Sequence, residues 1–184
     1  MTRLWTGKGD DGTTGLLYGG RASKASPRFD ALGAADEAQA AIGVARAEVA
    51  AGSELDVILT TVARDLWVLM AEVATESENH AKLVEGETLV SQAMVLAVEQ
   101  VMLDISTRFD LPAEFVVPGQ DRSSALLDLA RTVVRRAERA VLPVVADGSL
   151  AVPYLNRLSS LLWTAARWAE GEPLPTRTTR PSTP

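Results

Sequence analysis

Leu55, Ile58, Leu59, Val62, Leu66, Leu69, Met70 and Val73 recur at the spacing of one helical face, which predicts a helix starting at Ser53 or Glu54. The same period appears on both sides of it. A first helix is expected from Pro27 or Arg28 to about Ala51, with proline tolerated in its first turn and Gly52-Ser53 breaking it. A third is expected from about Thr88 to Thr107, a fourth over roughly 122–145, and a fifth from about Val152 to Glu170. In "TESENHAKLVEGE" the period fails, so that stretch reads as a surface loop. "DLPAEFVVPGQD" reads as an extended connection bounded by Pro112 and Pro118, with Asp121 placed to cap the fourth helix.

The two ends differ from this pattern. Residues 1–27 carry glycines at 7, 9, 12, 15, 19 and 20, too many for regular helix, and read as an extended loop segment. Residues 171–184 are rich in Pro and Thr with few apolar groups, and read as a disordered tail. The fold class is therefore all-α: a five-helix bundle over residues 28–170, behind a glycine-rich N-terminal segment. The sequence has no internal repeat.

Composition narrows what such a bundle can do. With 184 residues, 47% of them hydrophobic, the chain can build one domain with a full core. A formal net charge of −6 excludes a general nucleic-acid binder, which needs a broad basic surface to displace counterions. The absence of cysteine removes disulfides, thiolate metal sites and thiol nucleophiles, and suits a reducing compartment. "MTRLWTGKGDDGTTG" lacks the apolar run of a signal peptide, and no later stretch is long and apolar enough to span a membrane. The expectation is a cytoplasmic protein.

Against this acidic background, "ARTVVRRAER" packs four arginines and one glutamate into ten residues. On a helical wheel Asp128, Arg131, Arg135, Glu138 and Arg139 share one arc, opposite a broad apolar arc. One reading is a solvated face balanced by Asp128 and Glu138, and the wheel alone favours it. The other is a polyanion clamp, because guanidinium forks match phosphate geometry. "TGKGDDGTTG" can wrap an anion with backbone N–H groups, with Lys8 and Thr hydroxyls beside them. It is not a Walker A loop, since Gly7-Lys8 is followed by Gly9. In the first helix Asp36 lies in the file Phe29, Leu32, Asp36, Ala40, Gly43, Ala47. Such an acid needs a cationic partner or a proton, unless water reaches it. The fifth helix places Asn156, Ser160, Trp163 and Arg167 on one face, either ordinary packing or a pocket wall polar at one end and aromatic at the other.

"TGKGDDGTTGLLYGGRASK", "GAADEAQAAIG", "FVVPG", "ARTVVRRAER" and "YLNRLSSLLW" stand in an order and spacing that resembles the PduO-type ATP:cob(I)alamin adenosyltransferases, from about Leu4 to Arg167. The resemblance implies a homotrimer with sites between subunits, and substrates MgATP and cobalamin or a corrinoid precursor. Its reaction is transfer of the 5′-deoxyadenosyl group with release of triphosphate. Such an enzyme works beside a cobalamin reductase and a B12-dependent acceptor enzyme. Carried over by position, Thr6, Gly9, Asp10, Gly12, Thr14 and Lys24 match the ATP loop and the lysine beyond it. Arg135, Glu138 and Asn156 match further ATP contacts, and Mg²⁺ comes with the ATP phosphates. Asp36 matches an acid that pairs with an arginine at the position of Arg131. Phe115 matches an aromatic ring at the lower face of the corrin, and Trp163 another such aromatic position. Because cobalt is the nucleophile, a chain without cysteine and with His80 as its one histidine suffers no penalty.

The chain departs from the family pattern at Gly7 (with Lys8 one place late), Ala38, Gln120, Asp128 (a histidine in the family) and Ser160 (an aspartate). Two alternatives therefore stand beside a transferase. One is a non-catalytic ATP or cobalamin carrier or sensor. The other is a structural helical oligomer whose arginines only mediate subunit contacts.

Overall fold

A computed structural model of the chain describes residues 5–179; Leu4, where the resemblance begins, and the tail residues 180–184 lie outside the described residues. The elements in order are β1 (Thr13–Gly15), β2 (Arg21–Ser23), α1 (Pro27–Arg46), α2 (Glu54–Val73), α3 (Gln92–Ser106), α4 (Arg122–Val141) and α5 (Ala151–Glu170). Five helices form the bundle, as the periodicity predicts. α4 is central and packs on α1 and α5, while α2 leans on α1 and α3 on α5.

Capping chemistry sets the helix boundaries. Pro27 occupies the first turn of α1, and Ser53, Ser91 and Asp121 accept hydrogen bonds from the backbone N–H three residues on. Asp121 thus caps α4 as expected. Three helix ends fall short of the periodic pattern. α1 stops at Arg46 because the following turn is pinned by Asp56, which accepts from Gly52 N at 2.7 Å and from Arg46 Nε at 2.5 Å. α3 starts after Ser91, since Thr88 is used in the preceding turn, its Oγ1 accepting from Val84 N at 2.9 Å. α4 stops at Val141, two residues before Pro143, which has no N–H to continue the ladder. Part of the stretch read as a loop is a short 3₁₀ helix, Ser77–Lys82.

Among the described residues, parts of both terminal segments make backbone hydrogen bonds to the bundle and its connections. The N-terminal segment folds into an antiparallel hairpin with Thr14 opposite Ala22. It is tied to the end of α2 by Leu17 N donating to Ala74 O at 3.0 Å. The first residues of the tail lie against the connection that carries Phe115, with Val117 N donating to Leu174 O (2.9 Å) and Thr176 N to Phe115 O (2.8 Å). The unmet carbonyl and N–H groups of a proline-bounded connection offer a docking edge, which the tail's composition does not reveal.

The core contains the buried face of α1, which is mostly alanine (Ala31, Ala34, Ala35, Ala38, Ala45) with Ile42. A buried hydrogen bond from Tyr154 to Asp65 (3.0 Å) crosses it, and burial pushes both groups above their ordinary pKa ranges. Among the described residues no helix is long and apolar enough to cross a membrane.

Candidate active site

The extended connection, α4 and α5 enclose a groove of about 890 Å³, lined by Phe115, Asp128, Arg131, Trp163 and Arg167 among others. Phe115 stands at its rim with 90% of its surface exposed, so the ring is not core. Its backbone is nevertheless fixed, because the Phe115 carbonyl accepts from both Thr176 N (2.8 Å) and Thr176 Oγ1 (2.9 Å). A second hollow of about 450 Å³ lies alongside, lined by Met102, Arg131, Arg135, Ser160, Trp163 and Thr164. Arg131 and Trp163 belong to both hollows and form the wall between them.

The charged arc of α4 is not simply a solvated face. Because α4 has neighbours on two sides, the flank carrying Asp128 and Glu138 turns toward α5. Asp128 is buried, and its two oxygens hold different arginines: Oδ1 accepts from Arg131 Nε at 3.1 Å and Oδ2 from Arg167 Nη2 at 2.6 Å. Arg167 is itself only 1% exposed, pairs with Glu170 at 2.7 Å, and lies over the Trp163 ring at 5.8 Å. Burial raises the Glu170 carboxyl above its usual range, against the opposing pull of Arg167. Removing one partner of a buried pair such as Asp128–Arg167 costs about 3–5 kcal/mol. Further along, Asn156 Nδ2 donates to Glu138 Oε1 (3.0 Å), and Asn156 Oδ1 accepts from Arg157 (2.9 Å). Glu138 and Asn156 are therefore brought together.

Arg135 stands apart from the other arginines of its helix. Arg131 pairs with Asp128, Arg136 with Glu37, and Arg139 donates to the Arg135 carbonyl. The Arg135 guanidinium has no acidic partner among the described residues, and it opens onto the smaller hollow.

The glycine-rich segment forms its own cluster. Lys24 Nζ donates to the Gly9 carbonyl at 2.7 Å, and Lys24 N to the Gly12 carbonyl at 2.9 Å. A Cβ at Gly9 would lie 2.8 Å from Lys24 Nζ and 3.3 Å from the Thr13 carbonyl oxygen, so a larger residue there displaces the Lys24 ammonium from the Gly9 carbonyl. Gly12 has φ +78°, a conformation that favours glycine. Thr6 Oγ1 accepts from Lys8 N (3.3 Å), and Asp10 N donates to Gly7 O (3.2 Å). Arg21, absent from the sequence reading, ties the loop together by donating to the Lys8 carbonyl at 2.6 Å and to Thr13. Among the described residues no hydrogen bond or ion pair joins this cluster to α4, so within one chain the loop set and the arginine set remain apart.

Asp36, which the resemblance matches to an acid paired with the arginine at Arg131, makes no ion pair with Arg131 within one chain among the described residues. Its file faces away from the alanine face of α1, so Asp36 is exposed beside a hollow of about 660 Å³ lined by Leu17, Phe29, Leu32, Trp67 and Met70. Neighbouring Glu37, not Asp36, reaches α4 through Arg136. Trp67, 60% exposed, leaves this face apolar and open. The functional groups that sequence reasoning missed are Asp128 as a buried anchor and Arg167 as its partner. The signal was the i,i+3 spacing of Asp128 and Arg131, read as surface charge balance.

A family model described as cobalamin adenosyltransferase matches residues 4–169. A corrinoid adenosyltransferase of Mycobacterium tuberculosis (strain ATCC 25618 / H37Rv) is 37% identical over 177 residues, covering 92% of this chain and 89% of that protein. A corrinoid adenosyltransferase PduO of Salmonella typhimurium is 32% identical over 167 residues, 89% of this chain and 48% of that one. In fold, the chain is similar to a variant PduO-type ATP:corrinoid adenosyltransferase from Lactobacillus reuteri complexed with cobalamin and ATP. The TM-score is 0.85 at 21% identity, over 97% of this chain and 98% of that one.

Proposed function

Because the chain belongs to the cobalamin adenosyltransferase family, we propose that it transfers the 5′-deoxyadenosyl group of ATP to cob(I)alamin or a corrinoid precursor. The observation that carries this reading is the pair of hollows meeting at Arg131 and Trp163, one basic with Arg135 and one aromatic with Phe115. ATP lies toward Arg135, Glu138 and Asn156, and the corrin toward Phe115 and Trp163. The cobalt lone pair forms the bond to the 5′ carbon as the carbon–oxygen bond breaks, and triphosphate leaves with the two electrons of the broken carbon–oxygen bond. Arginine guanidinium groups and loop N–H groups stabilise the growing charge on the leaving group. Mg²⁺ enters this reading bound to the ATP phosphates.

The separation of the two ATP-binding sets within one chain supports a site completed between subunits of a homotrimer. Thr6, Gly9, Asp10, Gly12, Thr14 and Lys24 of one subunit then face Arg135 of the next. Asp36, open on an apolar face with Trp67, meets Arg131 of the partner subunit. A reductase that supplies cob(I) and an enzyme that accepts the adenosylated corrinoid stand on either side of the reaction.

The direct test mixes the protein with MgATP and chemically reduced cobalamin and follows light-sensitive adenosylcobalamin. Binding of both substrates with no product would turn the reading into a carrier; binding of neither would leave only a structural bundle. Shared sites make a separate prediction. Co-expressing Lys24→Ala with Arg135→Ala, each nearly inactive alone, should restore activity, since about a quarter of randomly assembled sites regain both intact halves. Activity that stays at the level of the separate variants would mean each site lies within one chain.

A further inference from the structure

Asp128 is in the wall of the larger groove, yet its side chain is only 7% exposed, and neither of its oxygens faces the hollow unengaged. Through Oδ1 it holds the Nε edge of Arg131, and neither terminal Arg131 nitrogen has an acidic partner within the chain among the described residues. Through Oδ2 it holds Arg167, whose guanidinium lies over the Trp163 ring. Both parts of the wall between the hollows, the Arg131 guanidinium and the Trp163 indole, are therefore tied to one carboxylate.

We infer that Asp128 is a positioning residue for adenosyl transfer, fixing Arg131 directly and Trp163 through Arg167 where the two substrates meet. This rests on the transferase reading proposed above. Two features make the arrangement rigid. Arg167 is buried and also held by Glu170 at the end of α5, so Asp128 is anchored from behind. Asp128 and Arg131 lie three residues apart on one helix, so their bond needs no movement between elements. The pair at the wall is thus set by the bundle core and not by the substrates. An error there changes the approach of the 5′ carbon to the metal more than the affinity for either substrate, and misplacement of about 1 Å can cost on the order of 100-fold in rate.

Asp128→Asn tests this. A carboxamide offers one acceptor, which the buried Arg167 takes, and its NH₂ then faces the Arg131 Nε–H, donor against donor. The expected result is a kcat loss of roughly 10- to 100-fold with KM for ATP nearly unchanged. Combined with Arg131→Lys, the loss should be no greater than that of the worse single variant, because both changes break one contact. A purely structural Asp128 gives losses that multiply and overturns the inference; Tm falls in either case, because Arg167 loses its buried partner.

Asp128→Glu covers the case in which the amide variant does not fold. It keeps the charge opposite Arg167 but moves the carboxylate by one methylene. Lost turnover with an unchanged Tm supports positioning, whereas wild-type turnover shows that only charge balance matters and overturns it. If the wild-type protein makes no adenosylated corrinoid, the transferase reading fails first. The same cycle read by Tm then shows whether positions 128 and 131 are coupled, and additive effects there reject the inference. Wild-type protein that neither turns over nor binds ATP rejects both.

Discussion

Replacing Phe115 by alanine abolishes most adenosylation that starts from cob(II)alamin and leaves ATP affinity where it was. Cob(II)alamin in water is hard to reduce because its lower axial ligand donates electron density to cobalt, and axial ligation is a strong lever on metal redox potential. Phe115 is suited to displace that ligand. Its ring is 90% exposed at the rim of the larger groove, while its carbonyl is held twice by Thr176 and its segment is bounded by Pro112 and Pro118. The loss expected is ~100-fold, or about 2.7 kcal/mol of barrier. So exposed a ring contributes little to folding, and Tm should move by no more than an exposed substitution allows, about 0.5 kcal/mol of stability. Electron paramagnetic resonance checks the cause: the alanine variant should lose the four-coordinate cob(II)alamin signal. A wild-type yield of that species would mean the ring does not displace the ligand.

Arg135→Lys weakens ATP use although the charge is kept. The other arginines of the stretch are engaged by Asp128, by Glu37 or by a backbone carbonyl, and Arg135 opens on the smaller hollow without an acidic partner. That is the arrangement a phosphate clamp requires. Lysine replaces a planar fork with a point charge and forfeits the bidentate geometry. Losing one hydrogen bond to a charged group costs about 1.5–3 kcal/mol, so ATP affinity should fall roughly 10- to 100-fold. Calorimetric titration of ATP checks it, and unchanged affinity with unchanged turnover would remove Arg135 from the site.

The helices were readable because their periodic faces are long and their caps are chemical: Asp121, Ser53 and Pro27 each act where the sequence puts them. The faces were harder to read. In α1 the louder apolar file, Phe29 and Leu32, lies by the open hollow, while the buried face consists mainly of alanines whose hydrophobic signal is faint. The file around Asp36 therefore leaves open whether a cation or water meets its carboxylate, and within one chain that carboxylate is exposed. Asp128 was misjudged for a related reason. A wheel drawn for one helix cannot register a second neighbour, and α5 covers the flank that the wheel gives to water. Phe115 is singled out through the family resemblance alone, while helical spacing already marks Arg131 and Trp163 as candidates; nothing in that spacing shows that all three line one groove.

The alanine face of α1 also bears on how the chain can vary over time. At Ala31, Ala35, Ala38 and Ala45 no surface remains accessible, so a larger side chain there must push helices apart, typically at ~1–3 kcal/mol. On α4, one of the helices against which α1 packs, any such displacement would carry Arg131 and Arg135 with it. Four small residues with no chemistry of their own thus act as a spacer beside the hollows that Arg131 and Arg135 line. Drift should accumulate on the exposed side of α1 while Ala31, Ala35 and Ala45 stay small, and a methylene gained there would shift the hollows before it unfolded the protein; Ala38, where the chain departs from the family pattern, is not held to that size.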